Sequence, residues 1–247
     1  AFITYTTAGL PDMETTKKIM FAQQEAGIDV MELGIPFSDP VADGPVIQAA
    51  SYEAIQKGAT LTKIFTLMKE VRKEGLTTPV VFMMYYNTVY HYGLEEFVEM
   101  CADCGVDGLI IPDLPYEEQK EINAVLAENE AAPILIQLVS PVSKQRIPMI
   151  VNNARGFVYC VSQMGVTGNG ANFHKQIREY LLEVKKNSPV PVMMGFGIRT
   201  AGDVEPLEDI IDGAIVGSHF ITLMKENNYD ENVIKEYISS FKKEMNE

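Results

Sequence analysis

The chain has 247 residues, of which 47% are hydrophobic and 22% are charged, the composition of an ordinary globular protein. This length accommodates one large domain or two small ones, and no apolar run reaches the ~20 residues that span a bilayer. The net charge of −14 argues against nucleic acids and anionic membranes as partners, but a small anion can still bind through backbone amides.

Short apolar segments alternate with amphipathic segments along the whole chain. The predicted strands are residues 2–7, 28–33, 79–84, 107–112, 133–139, 156–161, 190–195 and 212–216. The predicted helices are residues 12–26, 46–57, 61–74, 94–104, 116–130, 143–152, 173–187, 201–208 and 230–246, with further helix starting at Gly217-Ser218.

Eight strands that each precede a helix predict a single α/β domain over residues 1–247, a (β/α)₈ TIM barrel with a parallel eight-stranded core. The alternative is a doubly wound open sheet. That fold favours a glycine-rich fingerprint after an early strand, whereas the glycine-rich turns here follow the last three predicted strands. Residue 1 directly precedes the first predicted strand, so we expect a leading piece of the protein to be missing from this sequence.

The stretch that organises the chain is VMELGIPFSDPVADGP, residues 30–45. Glu32 lies among apolar residues of a predicted buried strand, where a charge costs several kcal/mol unless it is paired or neutralised. Asp43 closes the loop that follows. Two neighbouring carboxylates suit acid–base catalysis, although Asp39 and Asp43 also fit the alternative of ordinary turn residues.

Active sites of TIM barrels lie at the carboxyl ends of the strands. The polar residues predicted there are Thr6, Thr7, Glu32, Tyr85, Asn87, Asp113, Gln137, Tyr159, Ser162 and Arg199. Tyr159 offers a hydroxyl to the site, or is a core tyrosine with a satisfied hydroxyl. Asp113 also fits a helix cap.

Glycine turns follow the last three predicted strands: Gly165-Val166-Thr167-Gly168, Gly195-Phe196-Gly197 and Gly217-Ser218. Glycine lets the backbone approach an anion, and the loops after the late strands of a barrel are frequent phosphate sites. The alternative is tight turns without a ligand. Apolar residues near strand ends, namely Phe2, Met83, Phe157 and Phe196, suit a flat apolar part of a substrate or the core.

The histidines show no metal-ligand spacing, and the one close pair of cysteines has neither a second pair nor a nearby histidine. His91, His174 and His219 fall in loops or at helix starts, so we expect no metal. The three cysteines indicate a reducing compartment. Cys101 and Cys104 have redox-motif spacing, but their amphipathic surroundings favour a helix core.

The stretch MELGIPFSDPVADGP strongly resembles the tryptophan synthase alpha chain family. AFITYTTAGLP precedes it, and YCVSQMGVTG, MGFGIRT and GAIVGSHF follow it, in the order that the family shows. The resemblance implies a TIM barrel that cleaves indole-3-glycerol phosphate to indole and glyceraldehyde 3-phosphate by a retro-aldol reaction. It also implies a cytoplasmic assembly of two alpha and two beta chains. The beta chain carries pyridoxal phosphate and receives the indole, while the alpha chain needs no cofactor.

By the same resemblance, Glu32 is the general acid–base residue, Asp43 bonds the indole N–H, and Tyr159 lines the catalytic site. The phosphate positions are Gly168, Phe196, Gly197, Gly217 and Ser218. The indole pocket holds Tyr5, Met83, Ile110 and Ile136, with Phe196, and Thr167 lies on a loop that closes over the substrate. The family's helix before the first strand is absent from this sequence, and Gln163 stands where some members carry Arg.

Three rival functions remain open. A stand-alone lyase of the same family would release free indole, and a non-catalytic barrel would bind phosphate as a scaffold. An aldolase or isomerase would need a Schiff-base lysine or a metal at a strand end, and the sequence places neither there.

Overall fold

A parallel sheet that closes on itself forms the centre of the molecule. The computed structural model describes residues 1–143, 145–161, 171–195 and 197–245, with the backbone alone for residues 171–175. The strands are β1 Phe2–Thr7, β2 Val30–Gly34, β3 Val80–Met83, β4 Gly108–Ile110, β5 Ile134–Leu135, β6 Gln137–Val139, β7 Val158–Val161, β8 Val192–Gly195 and β9 Gly213–Val216.

The fifth predicted strand closes the barrel. The strand order is β5-β4-β3-β2-β1-β9-β8-β7-β6, and β5 and β6 are two halves of one extended segment separated only by Ile136. β5 pairs with β4 and β6 pairs with β7, and the Ile136 amide donates to the Leu109 carbonyl at 2.9 Å. The predicted eight-stranded parallel barrel is therefore confirmed, and the open sheet is excluded because the two outer strands are one segment.

Helices surround the barrel in the predicted order. They are α1 Met13–Glu25, α2 Pro45–Gln56, α3 Leu61–Lys73, α4 Tyr86–Tyr92, α5 Leu94–Cys104, α6 Lys120–Ala127, α7 Ile147–Val151, α8 Ala171–Asn187, α9 Ser218–Glu226 and α10 Glu231–Met245. α4 was not predicted. The helix predicted over 116–130 is a 3₁₀ turn, Tyr116–Glu118, followed by the shorter α6, and the helix predicted over 201–208 is two 3₁₀ turns.

A capping side chain and a glycine end two of the helices where the sequence predicts. The Asp12 side chain accepts the Thr15 amide at 2.7 Å and so caps the first turn of α1. Gly105 ends α5 in the left-handed conformation, which glycine adopts without steric cost. No described helix is both long enough and apolar enough to cross a membrane.

The core has two layers. The larger layer lies between the sheet and the helices. The smaller layer fills the inside of the barrel with Ile3, Val81, Ile110, Ile136, Phe157, Met193 and Ile215. Burying each aliphatic side chain of this kind contributes roughly 1.5–3 kcal/mol. The filled interior acts as the floor of any cavity at the carboxyl ends of the strands.

Cys101 and Cys104 are part of the larger layer, as the amphipathic pattern predicted. Both side chains are buried in α5, and burial raises the pKa of the Cys104 thiol to about 11. A protonated, inaccessible thiol is a poor nucleophile and a poor metal ligand.

Candidate active site

A cavity of about 660 Å³ opens at the carboxyl ends of the strands, within the size range of small-molecule sites. Residues of β1, β2, β3, β6 and β7, of α2 and α9, and of five loops converge on it. Its lining is Tyr5, Glu32, Ala42, Asp43, Gly44, Val46, Ile47, Met83, Pro112, Leu138, Ser140, Tyr159, Val161, Gly197, Ile198, Arg199, Gly217, Ser218, His219 and Thr222. Glu32, Asp43 and Tyr159, which the sequence singled out for catalysis, thus share one cavity.

Glu32 lies in the middle of β2, beside Tyr5 of β1 and Val81 of β3. Its side chain is 1% exposed, and neither carboxyl oxygen has a hydrogen-bond partner among the described residues. Burial, and secondarily the charge of Asp43, raise the pKa of Glu32 to about 8. The carboxyl group therefore holds a proton at neutral pH and is able to donate it to a bound ligand.

Asp43 reaches the same cavity from the loop after β2. Ser51 of α2 fixes the start of this loop, because its hydroxyl accepts the Phe37 amide at 2.7 Å and donates to the Phe37 carbonyl at 2.9 Å. The Asp43 amide donates to the Pro40 carbonyl at 3.1 Å. Burial raises the pKa of Asp43, and a hydrogen bond from Tyr85 opposes that rise.

Tyr85 is a hydrogen-bond partner of Asp43. The sequence predicted that it lies at a strand end but indicated no role for it. Its hydroxyl donates to Oδ2 of Asp43 at 2.9 Å and accepts the Ala42 amide at 3.0 Å. Its ring stacks on Phe37 with centroids 5.0 Å apart. Tyr85 thus holds both the backbone of the loop after β2 and the carboxylate of Asp43.

Two tyrosines approach two glycines at the strand ends so closely that no Cβ would fit between them. A Cβ built on Gly34 would fall 1.9 Å from the Tyr5 hydroxyl, and one built on Gly195 would fall 2.6 Å from the Tyr159 hydroxyl. Burial raises the pKa of Tyr159, and the nearby charges of Glu32 and Asp43 raise it further. Both phenols stay protonated, so they act on a ligand as hydrogen-bonding groups.

The predicted phosphate residues Gly197, Gly217 and Ser218 line the same cavity. Gly197 has a φ of 78°, which favours glycine. Gly217 caps α9 and Ser218 is its first residue, so unpaired amides of the first turn are available there to an anion. Gly168, Thr167 and Phe196 lie outside the described residues, as does Ser162.

The structure places the remaining predicted residues in different environments. Met83 lines the cavity, whereas Ile110 and Ile136 belong to the apolar layer inside the barrel beneath it. Asp113 accepts the Tyr86 amide at 2.9 Å, so it caps a helix, although that helix is α4. Gln137 donates to Gln119 at 3.0 Å and does not line the cavity.

The sequence also missed part of the site. His219 was weighed only as a metal ligand and Arg199 only as a polar strand-end residue, yet both residues line the cavity. Their positions in the sequence could have identified them, because His219 directly follows Ser218 and Arg199 lies two residues after Gly197. In the part of the chain that the structure describes, no group of three His, Cys, Asp or Glu side chains is placed to hold a metal ion.

The fold and the cavity define a class: a TIM-barrel enzyme with two carboxylates, Glu32 and Asp43, in a cavity at the strand ends. A model of the family described as "Tryptophan synthase alpha chain" matches residues 1–247. The "Tryptophan synthase alpha chain" of Lachnospira eligens is 75% identical over 246 residues, which cover 100% of this chain and 93% of the relative.

Solved structures agree with the sequence comparison. Tryptophan synthase subunit alpha from Legionella pneumophila superimposes with a TM-score of 0.88 at 32% identity, covering 99% of this chain and 92% of that one. A chain of the tryptophan synthase complex from Pyrococcus furiosus gives 0.87 at 31% identity, covering 98% of each chain. This chain belongs to the tryptophan synthase alpha chain family.

Proposed function

We propose that this protein is the alpha subunit of a tryptophan synthase, a lyase that cleaves indole-3-glycerol phosphate to indole and D-glyceraldehyde 3-phosphate. The observation that carries the proposal is Glu32. Its carboxyl group is buried, its pKa is raised to about 8, and it lines a cavity that also contains Asp43. A retro-aldol cleavage of this substrate needs a proton donor and a carboxylate in one apolar cavity.

In the first step, Glu32 donates its proton to the indole ring carbon that bears the glycerol side chain. The ring becomes a cation whose charge is spread toward its nitrogen. Asp43 accepts a hydrogen bond from the ring N–H and offsets this charge, which is why an ionised carboxylate is needed there. Tyr85 favours the ionised form by donating to Oδ2.

In the second step, Glu32 is a carboxylate and accepts the proton of the hydroxyl group next to the ring. The O–H electrons form the carbonyl of glyceraldehyde 3-phosphate, and the electrons of the broken carbon–carbon bond return to the ring. Indole leaves with its N–H intact, and Glu32 is protonated again. The ring itself is the electron sink, so no lysine is required.

The rest of the cavity binds the two ends of the substrate. Tyr5, Met83 and Tyr159 flank the ring, above the layer that contains Ile110 and Ile136. The amides of Gly197, Gly217 and Ser218 bind the phosphate at the start of α9. By family resemblance, Gly168 and Phe196 contribute to the phosphate site, and Thr167 closes its loop over the substrate and excludes water.

The partner is a tryptophan synthase beta subunit in a cytoplasmic assembly of two alpha and two beta chains. The beta subunit carries the pyridoxal phosphate, and the alpha chain works without a cofactor. Two exposed apolar side chains support a docking surface on the face where the cavity opens, because large apolar groups in water mark interaction sites. They are Val41 (83% exposed) and Val142 (89% exposed), on loops after β2 and β6.

The test is indole release from indole-3-glycerol phosphate, measured with and without an added beta subunit. We expect turnover that the beta subunit strongly stimulates. Glu32→Gln should abolish turnover, and Asp43→Asn should lower it heavily while substrate binding stays detectable. Glu99→Gln and Asp103→Asn make the same chemical changes on the exposed face of α5 and should leave turnover unchanged.

Each rival function predicts another outcome. Turnover that does not respond to the beta subunit would identify a stand-alone lyase that releases free indole. The absence of turnover from the native protein in either condition would identify a phosphate-binding scaffold. Full activity of Glu32→Gln would remove Glu32 from the mechanism.

A further inference from the structure

Two basic side chains lie beside the glycine turns and the first turn of α9. Arg199 follows Gly197 and Ile198 in the loop after β8, and His219 follows Ser218 as the second residue of α9. Both line the same cavity as Gly197, Gly217 and Ser218. They are the only Lys, Arg or His residues among the described residues that line it.

Arg199 has a firmly held backbone. Its amide donates to Oδ2 of Asp203 at 2.9 Å, and its carbonyl accepts the Tyr237 hydroxyl at 2.8 Å. The same Oδ2 also accepts the Thr200 amide at 2.9 Å and caps the turn over 201–203. The Arg199 guanidinium forms no ion pair within 4.0 Å with any residue that the structure describes. The backbone of Arg199 is therefore fixed beside the cavity, and its guanidinium carries a full positive charge that no described carboxylate pairs with.

His219 is held differently. Its ring packs against Tyr237 of α10 with centroids 5.7 Å apart. Burial, and secondarily the charge of Arg199, lower the pKa of His219, whereas Asp203 and Glu226 act in the opposite direction. The imidazole is therefore neutral at neutral pH and offers one ring N–H as a donor.

A phosphate dianion meets an unfavourable field in this protein. The chain carries a net charge of −14, and the cavity that would receive the phosphate also contains Glu32 and Asp43. The start of a helix supplies only about half a unit of positive charge. A guanidinium supplies a full charge together with a planar set of donors that matches phosphate oxygens.

We propose that Arg199 and His219 are direct side-chain ligands of the substrate phosphate and select for a doubly charged phosphate ester. They add to the backbone amides of Gly197, Gly217 and Ser218. The inference rests on the proposed function, because it assigns these residues to the phosphate of that substrate. If backbone amides alone bound the phosphate, loss of either side chain would not weaken phosphate binding. The proposal predicts instead that loss of one side chain weakens binding of the phosphate and leaves binding of the apolar end unchanged.

The experiment is titration calorimetry of the alpha–beta complex with sn-glycerol 3-phosphate as the probe. Indole, which the beta subunit also binds, is titrated into the alpha chain alone as a probe of the apolar end. Arg199→Met should weaken binding of glycerol phosphate about tenfold or more, as expected for loss of a hydrogen-bonded charge. His219→Ala should weaken it several-fold, and His219→Gln, which keeps an N–H donor, should recover part of the loss. Affinity for indole should not change in any of these variants.

Arg155→Met is the matched control. It removes the same charge from an exposed residue at the amino-terminal end of β7 and should leave both affinities unchanged. In steady-state cleavage, Arg199→Met should raise KM by the factor lost in the calorimetric affinity, with kcat within about twofold of the native value.

Three results would overturn the proposal. They are native affinity for glycerol phosphate in Arg199→Met, an equal loss of affinity for indole and glycerol phosphate, and no binding of glycerol phosphate to the native complex. Failure of the proposed function has a different signature. A native complex that binds glycerol phosphate through Arg199 but releases no indole would refute the lyase and leave the phosphate ligands in place.

Discussion

The Tyr85 hydroxyl donates a 2.9 Å hydrogen bond to Oδ2 of Asp43, although the two residues are 42 positions apart in the chain. The same hydroxyl accepts the Ala42 amide at 3.0 Å, so one phenol at the end of β3 holds the loop that follows β2. The orientation of the second carboxylate therefore depends on a neighbouring strand as well as on its own loop.

Tyr85→Phe should lower kcat for indole release about tenfold, because a hydrogen bond to a charged group is worth about 1.5–3 kcal/mol. The ring keeps its stacking on Phe37, so the melting temperature should change little. Loss of the bond should also raise the pKa of Asp43 and move the acidic limb of the kcat/KM profile to higher pH. Tyr90→Phe, an exposed tyrosine of α4, is the control. Unchanged kcat in Tyr85→Phe would show that the bond does not orient Asp43.

Gly34→Ala should displace the ring of Tyr5. The new Cβ would lie 1.9 Å from the Tyr5 hydroxyl and 2.3 Å from Cζ, contacts that no packing tolerates. We expect a loss of about 1–3 kcal/mol in the free energy of unfolding, typical of overpacking, measured by urea denaturation. Gly202→Ala, where the nearest atom is 3.7 Å away, should cost much less.

Combining Gly34→Ala with Tyr5→Ala tests the cause. If the clash is responsible, the double variant should be more stable than the sum of the two single losses predicts, because residues in contact are energetically coupled. Additive losses of unfolding free energy would show that the destabilisation comes from the backbone of β2 and not from the contact with Tyr5.

Glu32 should make stability depend on pH. Its pKa is raised from 4.5 to about 8 in the folded chain, so between those values the folded state holds more protons than the unfolded state. Its stability contribution is full below about pH 4.5 and is lost as pH rises through about 8, by up to about 1.4 kcal/mol per pH unit. Glu32→Gln cannot ionise and should become increasingly more stable than the native protein over this range. A stability difference that is constant from pH 5 to 8 would contradict the raised pKa.

All three thiols should be unreactive in the folded protein. Cys101, Cys104 and Cys160 are buried, and burial raises the pKa of Cys160 to about 12. A thiol-specific chromogenic reagent at pH 8 should therefore label three groups only after denaturant is added. Rapid labelling of Cys101 and Cys104 in the native protein would instead support a redox role for the pair.

The eight-strand barrel was readable from the sequence because each apolar strand alternates with an amphipathic helix that has its own start and stop signals. α4 was missed because its signals are not local. Its cap, Tyr85, makes no side-chain cap bond, and Asp113 from another loop accepts the Tyr86 amide instead. The interruption of the fifth strand at Ile136 depends on barrel closure, which no short window contains.

The sequence also indicated part of the candidate site. Glu32 was singled out because a carboxylate in an apolar strand has a high cost, and Asp43 because it closes the next loop; the structure brings both to one cavity. Tyr85 was given no role, since only the folded chain brings it to Asp43. Ile110 and Ile136 lie in the apolar layer inside the barrel, and their place in the indole pocket stays a prediction, because a strand sequence gives the facing of a side chain but not its depth in the barrel.

The central claim is that Glu32 enters the reaction as a buried, protonated acid. The most direct measurement is the pH dependence of kcat/KM for indole release by the alpha–beta complex, which reports groups of the free enzyme. We expect a basic limb with an apparent pKa of about 8, as the acid loses its proton. A rate that stays level through pH 9, or that falls only below pH 5, would show that Glu32 is not the proton donor.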